Sequence, residues 1–232
     1  MIEQRVDDQV RVVTLSRPDR RNALIPDGLD QLETAIVDAD EPVIYLHGAG
    51  TAFCAGADLD AVDALDDADA ARDFAAHGQR VAQAIETADA IVVAGIDGAA
   101  RGGGVELALA CDIRIATPAA TFGEPGVTFG LFGAWGGTAR LPEIVGLGDA
   151  MEFSVTGREL SAEEARRIGL VSRIVERPET VAHEIANNDP GALAVLKERL
   201  RDTASKAEQE RREADAFAEL VMERKRRNED GS

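Results

Sequence analysis

A carboxylate follows three consecutive glycines near the middle of the chain. Gly102, Gly103 and Gly104 open a predicted short helix, and Glu106 lies within about its first turn. The free N–H groups at a helix N-terminus favour negative charge. A carboxylate beside such groups is well placed to transfer protons on a substrate. Glu106 could instead only complement the helix dipole, so this motif alone leaves both roles open.

A second loop of small residues precedes another predicted helix. Residues 52–59 read Ala-Phe-Cys-Ala-Gly-Ala-Asp-Leu and follow a predicted strand with Gly48 and Gly50 behind it. Small side chains let a ligand approach the backbone closely, and Asp58 can cap the helix that follows. An ordinary strand-to-helix turn would use the same residue types.

Two familiar phosphate-binding loops do not fit these glycines. The run of three glycines lacks the GxGxxG spacing of a dinucleotide loop, and no such pattern follows a predicted strand elsewhere in the chain. A P-loop is excluded as well, because no Gly-Lys-Ser or Gly-Lys-Thr is present. The loops therefore indicate main-chain N–H groups that favour an anion at helix N-termini.

The elements that must position these loops alternate between strand and helix, which predicts the α/β class. Apolar patterning predicts strands at 10–15, 43–46, 91–96, 112–116 and 170–175, and helices at 27–37, 58–90, 105–111, 138–145, 148–155 and beyond 179. Residues 123–137 are predicted to form one long loop. Ser161 and Glu164 match the capping-box pattern at the start of a further helix, which Gly169 ends.

The net negative charge of the chain excludes two classes of binding partner. The chain has 25 basic and 43 acidic residues and a formal net charge of −18. Such a chain repels nucleic acid and anionic membranes, so neither is expected to bind. Apolar runs are too short to span a bilayer. Arginine far outnumbers lysine, and together with the negative charge this predicts an acidic, halophilic-type surface.

The two cysteines favour a reducing compartment. Cys54 and Cys111 lie far apart, and neither has the spacing of a metal-ligand motif, so we expect no metal site. The N-terminal residues lack the basic and apolar regions of a signal peptide. We therefore expect a cytoplasmic protein.

Four ordered segments resemble the crotonase superfamily, which includes enoyl-CoA hydratases and isomerases. They are LSRPDRRNAL at 15–24, DGAARGGGVELALACD at 97–112, FGEP at 122–125 with GGTARL at 136–141, and TG at 156–157 with the segment 162–171. The resemblance covers nearly the whole chain. It implies a spiral of repeated ββα units with a C-terminal helical region.

The resemblance also implies an organisation and an assembly. Residues 1–185 would form the core that carries the acyl-CoA site. Residues 186–232 would form the helical region, which serves oligomerisation and covers the active site. A homotrimer or a dimer of trimers is the implied assembly, with an acyl-CoA thioester as the substrate and no cofactor apart from its coenzyme A.

The implied site uses main-chain and side-chain groups. The N–H groups of Ala57 and Gly103 would form an oxyanion hole for the thioester oxygen, and Glu106 would be the acid–base residue. Two preorganised donors lower the barrier to charge formation on that oxygen. The residues implied along the coenzyme A are Arg21, Asn22, Ala23, Ala55, Asp58 and Leu59.

The sequence departs from the hydratase pattern in one loop. Hydratases of the superfamily use two glutamates, and Gly126 stands where the second is usual. Gly133 replaces a usual proline, and Trp135 stands where a small residue is usual. We predict enoyl-CoA hydration or a related one-glutamate reaction, with Glu124 as a candidate second carboxylate. The alternatives are an isomerase or other crotonase chemistry, and a non-catalytic acyl-CoA-binding protein.

Overall fold

The computed structural model describes residues 1–230, and residues 231 and 232 lie outside the description. The strands are β1 (Ile2–Asp7), β2 (Val10–Leu15), β3 (Val43–Gly48), β4 (Ala52–Cys54), β5 (Ile91–Ile96), β6 (Ala99–Arg101), β7 (Ile113–Ala116), β8 (Thr121–Gly123), β9 (Glu159–Ser161) and β10 (Arg173–Ile174). The helices are α1 (Pro26–Val37), α2 (Leu59–Asp63), α3 (Ala68–Thr87), α4 (Gly103–Ala110), α5 (Gly137–Val145), α6 (Leu147–Thr156), α7 (Ala162–Arg167), α8 (Glu179–Ala186), α9 (Pro190–Leu200) and α10 (Lys206–Asp230).

The strands form two sheets with different roles. The larger sheet has the order β1-β2-β3-β5-β7-β10 and is parallel except for the β1–β2 hairpin. The smaller sheet has the order β4-β6-β8-β9. Every residue of β5 is buried, as expected for a central parallel strand that is covered on both faces. The continuous apolar run Ile91–Ile96 is the sequence signal of that position.

Consecutive strands alternate between the two sheets because the chain repeats one structural unit. In the pairs β3–β4, β5–β6 and β7–β8, the first strand joins the larger sheet and the second joins the smaller one. Helical segments follow each pair: α2 and α3, then α4, then a 3-10 turn at Pro125–Phe129 and α5. This arrangement confirms the predicted spiral of ββα units.

Two apolar clusters hold the layers together. The larger cluster joins the helix-covered face of the sheet to α1, α3 and α4, with Leu32, Phe53 and Ile85 fully buried. The smaller cluster lies on the opposite face, where Val181 and Ala182 of α8 cover Val12 and Val93. The positions of β4, β6 and α4 are therefore fixed by burial; β4 and β6 lead into the glycine-rich loops, and α4 begins in one of them.

The C-terminal helices are fastened to the core by charge. The Lys197 Nζ of α9 donates to the Ala90 carbonyl at 2.8 Å and lies 2.9 Å from the Asp112 carboxylate. Arg201 makes a second ion pair with Asp112, at 2.8 Å. The predicted division at 185/186 falls at the end of α8, which belongs to the sheet side. None of the helices among residues 1–230 combines the length and apolarity needed to cross a membrane.

Several predicted elements need correction. The predicted helix at 58–90 is two helices, because Asp67 caps a new helix and accepts from the N–H groups of Asp69 and Ala70. The predicted strand at 170–175 is paired only at Arg173–Ile174. The predicted loops contain the short strands β4 and β6, and β8 lies just before the long one. The capping box of Ser161 and Glu164 is confirmed, with both reciprocal hydrogen bonds present.

Candidate active site

Two main-chain N–H groups, which follow strands of the small sheet, have no acceptor among residues 1–230. Gly103 N begins α4 directly after β6, and Ala57 N lies in the loop after β4. Within residues 1–230, neither amide donates a hydrogen bond in the turns, caps and bridges around it. Their neighbours are paired, since Leu24 N donates to Gly56 O and Asp58 N donates to Leu24 O. Both amides therefore remain available to a ligand.

The loops that carry these amides are in direct contact. A Cβ added to Gly56 would lie 2.7 Å from Gly103 N, and one added to Gly104 would lie 2.2 Å from Cys54 O. Gly56 also has a φ of +85°, which side-chain-bearing residues rarely adopt. Glycine at these positions is therefore a packing requirement that brings Ala57 close to Gly103.

Glu106 lies one helical turn after Gly103, so the two residues share a face of α4. Its carboxylate Oε1 accepts from Trp135 N at 2.9 Å and from Gly137 N at 2.7 Å. The residue is 1% exposed. Burial raises the pKa of Glu106, and the two N–H donors and Arg140 oppose that rise. The donors fix the carboxylate and favour its charged form.

A small cavity opens beside Glu106 and contains a second carboxylate. The cavity has a volume of about 200 Å³ and is lined by Glu106, Glu124, Val127, Phe132, Gly133, Gly137, Thr138, Leu141, Ser154 and Val155. Burial, and to a smaller extent the nearby charge of Glu106, raises the pKa of Glu124 to about 8. No hydrogen bond is recorded to the Glu124 carboxyl within residues 1–230. The two carboxyl groups therefore differ, because only Glu106 has donors that stabilise its charge.

The residues predicted along a coenzyme A lie on two adjacent segments, 21–23 and 55–59, which together are called the ledge. Ala55 N donates to Arg21 O at 2.9 Å, which joins the loop after β4 to the loop before α1. Ala23 is buried, whereas the side chains of Arg21 and Leu59 are exposed along this ledge. The exposed part of the ledge thus carries a cationic side chain, Arg21, next to main chain and small side chains.

Two polar residues of the ledge point inward and shape it. Asn22 is 1% exposed, and its Nδ2 donates to the carbonyls of Ala49 and Ala52 while its Oδ1 accepts from Arg17 N. Asp58 pairs with the Arg17 guanidinium at 2.6 Å and caps α2 by accepting from Asp60 N. Their side chains hold the two loops in register, which is a positioning role.

The other candidate groups lie outside this arrangement. The Cys54 Sγ accepts from Gly56 N and donates to Asn22 O, and burial raises the pKa of this thiol to about 12. Asp30, Glu33 and His77 are the described residues whose ligand atoms come within 4.8 Å of one another. None of those three lines the cavity beside Glu106.

Comparison with known proteins connects this arrangement to a family. The enoyl-CoA hydratase/isomerase family model matches residues 5–230. This chain belongs to the enoyl-CoA hydratase/isomerase family. The short-chain-enoyl-CoA hydratase of Clostridium acetobutylicum is 37% identical over 203 residues, which are 83% of this chain and 77% of that protein.

Two further family members are similar over most of their length. The crotonyl-CoA hydratase of Syntrophomonas wolfei is 40% identical over 184 residues, covering 77% of this chain and 70% of that protein. A crystal structure of a putative enoyl-CoA hydratase from Thermobifida fusca in complex with acetoacetyl-CoA superposes with a TM-score of 0.86 at 29% identity. That superposition covers 96% of this chain and 95% of the other. The chain is therefore an enzyme of this family with the family's fold.

The loop that begins at Gly126 leaves no space for a side chain at this position, where the resemblance places the second glutamate of hydratases. Leu131 N donates to Gly126 O at 2.8 Å, so residues 126–131 close on themselves. A Cβ added at Gly126 would lie 2.9 Å from Phe132 Cα and 3.0 Å from Leu131 O. In this enzyme the loop occupies the space that a side chain at 126 would need.

The part of the family site that sequence analysis missed is the support of Glu106. The donors Trp135 N and Gly137 N come from a segment 30 residues further along the chain, and its turn depends on Gly136 at a φ of +101°. The adjacent glycines Gly136 and Gly137 indicate a tight turn in the sequence. Nothing local to Glu106 in the sequence indicates which amides it would meet.

Proposed function

We propose that this enzyme hydrates 2-enoyl-CoA thioesters and stabilises the thioester enolate with the N–H groups of Ala57 and Gly103. The observation that carries the proposal is the pair of amides without an acceptor among residues 1–230, which lie on loops in contact. Gly103, one of the two, is one helical turn before the buried carboxylate of Glu106. Each preorganised donor of this kind is worth roughly 2.7–4 kcal/mol in the transition state. The N-terminus of α4 adds its dipole to the charge stabilisation at Gly103.

Glu106 and Glu124 suit opposite proton transfers. In the proposed reaction a water oxygen bonds to the β-carbon, and Glu106 accepts the proton that this water loses. The electron pair of the double bond moves toward the thioester, giving an enolate held by the two amides. Protonated Glu124 then donates its proton to the α-carbon. Hydrogen and hydroxyl are thereby added, and the proton passes from Glu106 back to Glu124 before the next turnover.

The ledge provides a site for coenzyme A. We propose that Arg21, Ala23, Ala55 and Leu59 contact the nucleotide and pantetheine, with Asn22 and Asp58 holding the loops in shape. Coenzyme A enters as part of the substrate, and the proposed steps need neither a metal ion nor another cofactor. The acetoacetyl-CoA complex of the Thermobifida fusca relative supports a thioester ligand in this fold.

The test is an assay of purified protein with crotonyl-CoA. We expect loss of the absorbance of the conjugated thioester as water adds, and a rise in Tm with acetoacetyl-CoA because ligand binds the folded state. Isomerisation of 3-enoyl-CoA without hydration would favour the isomerase alternative. A thermal shift without either reaction would favour a binding protein. Absence of any shift, with coenzyme A and acetoacetyl-CoA alike, would contradict the acyl-CoA site itself.

We also propose a homotrimer or a dimer of trimers, with residues 1–185 as the core and the helices beyond as the oligomerisation region. Exposed apolar side chains on α9 and α10 support this: Leu196, Leu200, Phe217 and Met222. Light scattering or sedimentation should give three or six times the chain mass of 24.6 kDa, and a monomer mass would contradict the assembly. The free, buried thiols of Cys54 and Cys111 are compatible with the proposed cytoplasmic location.

A further inference from the structure

Trp135 lies between α3 and the start of α4, against the amide proposed to hold the thioester oxygen. A Cβ added to Gly103 would lie 2.4 Å from the indole Cε3 and Cζ3. A Cβ added to Gly78 of α3 would lie 2.1 Å from the indole Cδ1. The six-membered part of the ring therefore rests on Gly103 and the five-membered part on Gly78. Glycine at both positions leaves room for the ring.

The indole is held firmly in this place. It is 3% exposed, and Phe74 meets it edge-on with the ring centroids 6.0 Å apart. Gln79 of α3 donates to the carbonyl of the preceding residue, Ala134, at 2.8 Å. The Trp135 main chain is held separately, through its N–H to Glu106. A buried ring that contacts both helices, with its backbone held by Glu106, forms a fixed wall.

The remaining space beside the site is small. The indole contacts both Gly103 and Gly78 of α3, so it fills the space between the proposed carbonyl site and that helix. The cavity beside Glu106 offers about 200 Å³, and Phe132, Leu141 and Val155 form apolar walls around it. For scale, an apolar protein cavity of about 150 Å³ accepts benzene. The space therefore suits an acyl group of roughly four to six carbons.

We propose that Trp135 limits this enzyme to short-chain acyl thioesters by closing the route that a longer chain would take between α3 and α4. The proposal rests on the proposed site for the thioester at Ala57 and Gly103. Because the backbone N–H of Trp135 holds Glu106, a smaller side chain at 135 leaves that hydrogen bond in place. Chain-length preference and proton transfer are thus controlled by different parts of the same residue.

The test compares kcat/KM for 2-enoyl-CoA substrates of four, six, eight, ten and twelve carbons in the wild type, Trp135→Ala and Trp135→Leu. One methylene in an apolar pocket changes discrimination by about 10–200-fold. We expect the wild type to lose at least about tenfold between four and ten carbons, and the ratio of ten-carbon to four-carbon kcat/KM to rise by about 10–100-fold in the variants. Trp135→Leu retains more packing in case Trp135→Ala does not fold.

Controls separate this proposal from the hydratase proposal. Leu32→Ala makes a core cavity in α1, away from the site, and should lower Tm without changing the chain-length ratio. Folded variants with an unchanged ratio would overturn the role of Trp135. If the wild type hydrates none of these substrates, the hydratase proposal fails. The Kd values for saturated acyl-CoA of four and twelve carbons then test directly whether Trp135 limits the acyl length. Equal Kd values for the two lengths in the wild type would overturn that limit.

Discussion

Glu106→Gln is expected to lower kcat for crotonyl-CoA hydration by about 10²–10⁴-fold. Glutamine has the same size, and its Oε1 can still accept from Trp135 N and Gly137 N, so the loop should keep its shape. The amide cannot accept the proton that the attacking water must lose. The loss should therefore appear in kcat, while acetoacetyl-CoA still raises Tm as it does in the wild type. Steady-state kinetics and thermal melts measure the two quantities on the same preparations.

Glu163→Gln is the matched control, because Glu163 is an exposed glutamate in the first turn of α7. That variant should keep the wild-type kcat and the same thermal shift. A wild-type rate in folded Glu106→Gln would show that another group takes the proton. A lost thermal shift would instead show that Glu106 maintains the binding site, which is not the role proposed here.

Glu124→Gln is expected to reduce kcat by about 10²-fold or more and to change the pH profile. The raised pKa of Glu124, about 8, keeps this carboxyl protonated at neutral pH. As a proton donor it works below that pKa, which belongs to the ligand-free enzyme, so kcat/KM of the wild type should fall as the pH rises through about 8. Glutamine does not ionise, so the low rate of the variant should lack this alkaline decline.

The same shift predicts the sign of a stability change. The pKa of Glu124 in the folded protein lies above the ordinary glutamate value of 4.5. Its protonated form is favoured by folding, so stability is fully present below about 4.5 and is progressively lost as the pH rises to about 8. Glu124→Gln removes that loss. The Tm difference between the variant and the wild type should therefore grow in favour of the variant from pH 5 to pH 8.

The exposed Glu143→Gln in α5 serves as the control and should change neither the rate nor the profile. If Glu124→Gln keeps the wild-type rate and the alkaline decline, Glu106 performs both proton transfers without it. If the rate falls but the Tm difference does not depend on pH, the Glu124 carboxyl is charged in the folded protein, which contradicts its assignment as the donor.

Much of the fold could be predicted because its signals are long or local. The apolar run Ile91–Ile96 and the alternation of elements indicate the parallel sheet, and Ser161 with Glu164 gives the capping box from two residue types alone. The smaller sheet could not be predicted in the same way. Its strands have three residues each, and three residues show no periodicity. They are defined by tertiary pairing.

In the candidate site too, features that depend on residue type could be predicted, and features that depend on main-chain pairing could not. The glycines at 56, 103 and 104 indicate close backbone approach, and the family resemblance indicates that Gly126 stands where a second glutamate is usual. It does not show that residues 126–131 close over that position, because a hydrogen bond between two main-chain groups does not depend on side-chain identity. The support of Glu106 by Trp135 N was hidden for the same reason. Asn22 and Asp58 were expected along the coenzyme A, and only coordinates reveal their side-chain partners.

The chain contains a single tryptophan, and that residue lies against Gly103 and supports Glu106 through its main chain. All indole emission from this protein thus originates beside the proposed reaction centre. A thioester bound at the Gly103 amide would place a polarisable group near this one chromophore. The intrinsic tryptophan fluorescence of the unlabelled protein should therefore report ligand binding at the proposed thioester site, without a contribution from any other tryptophan.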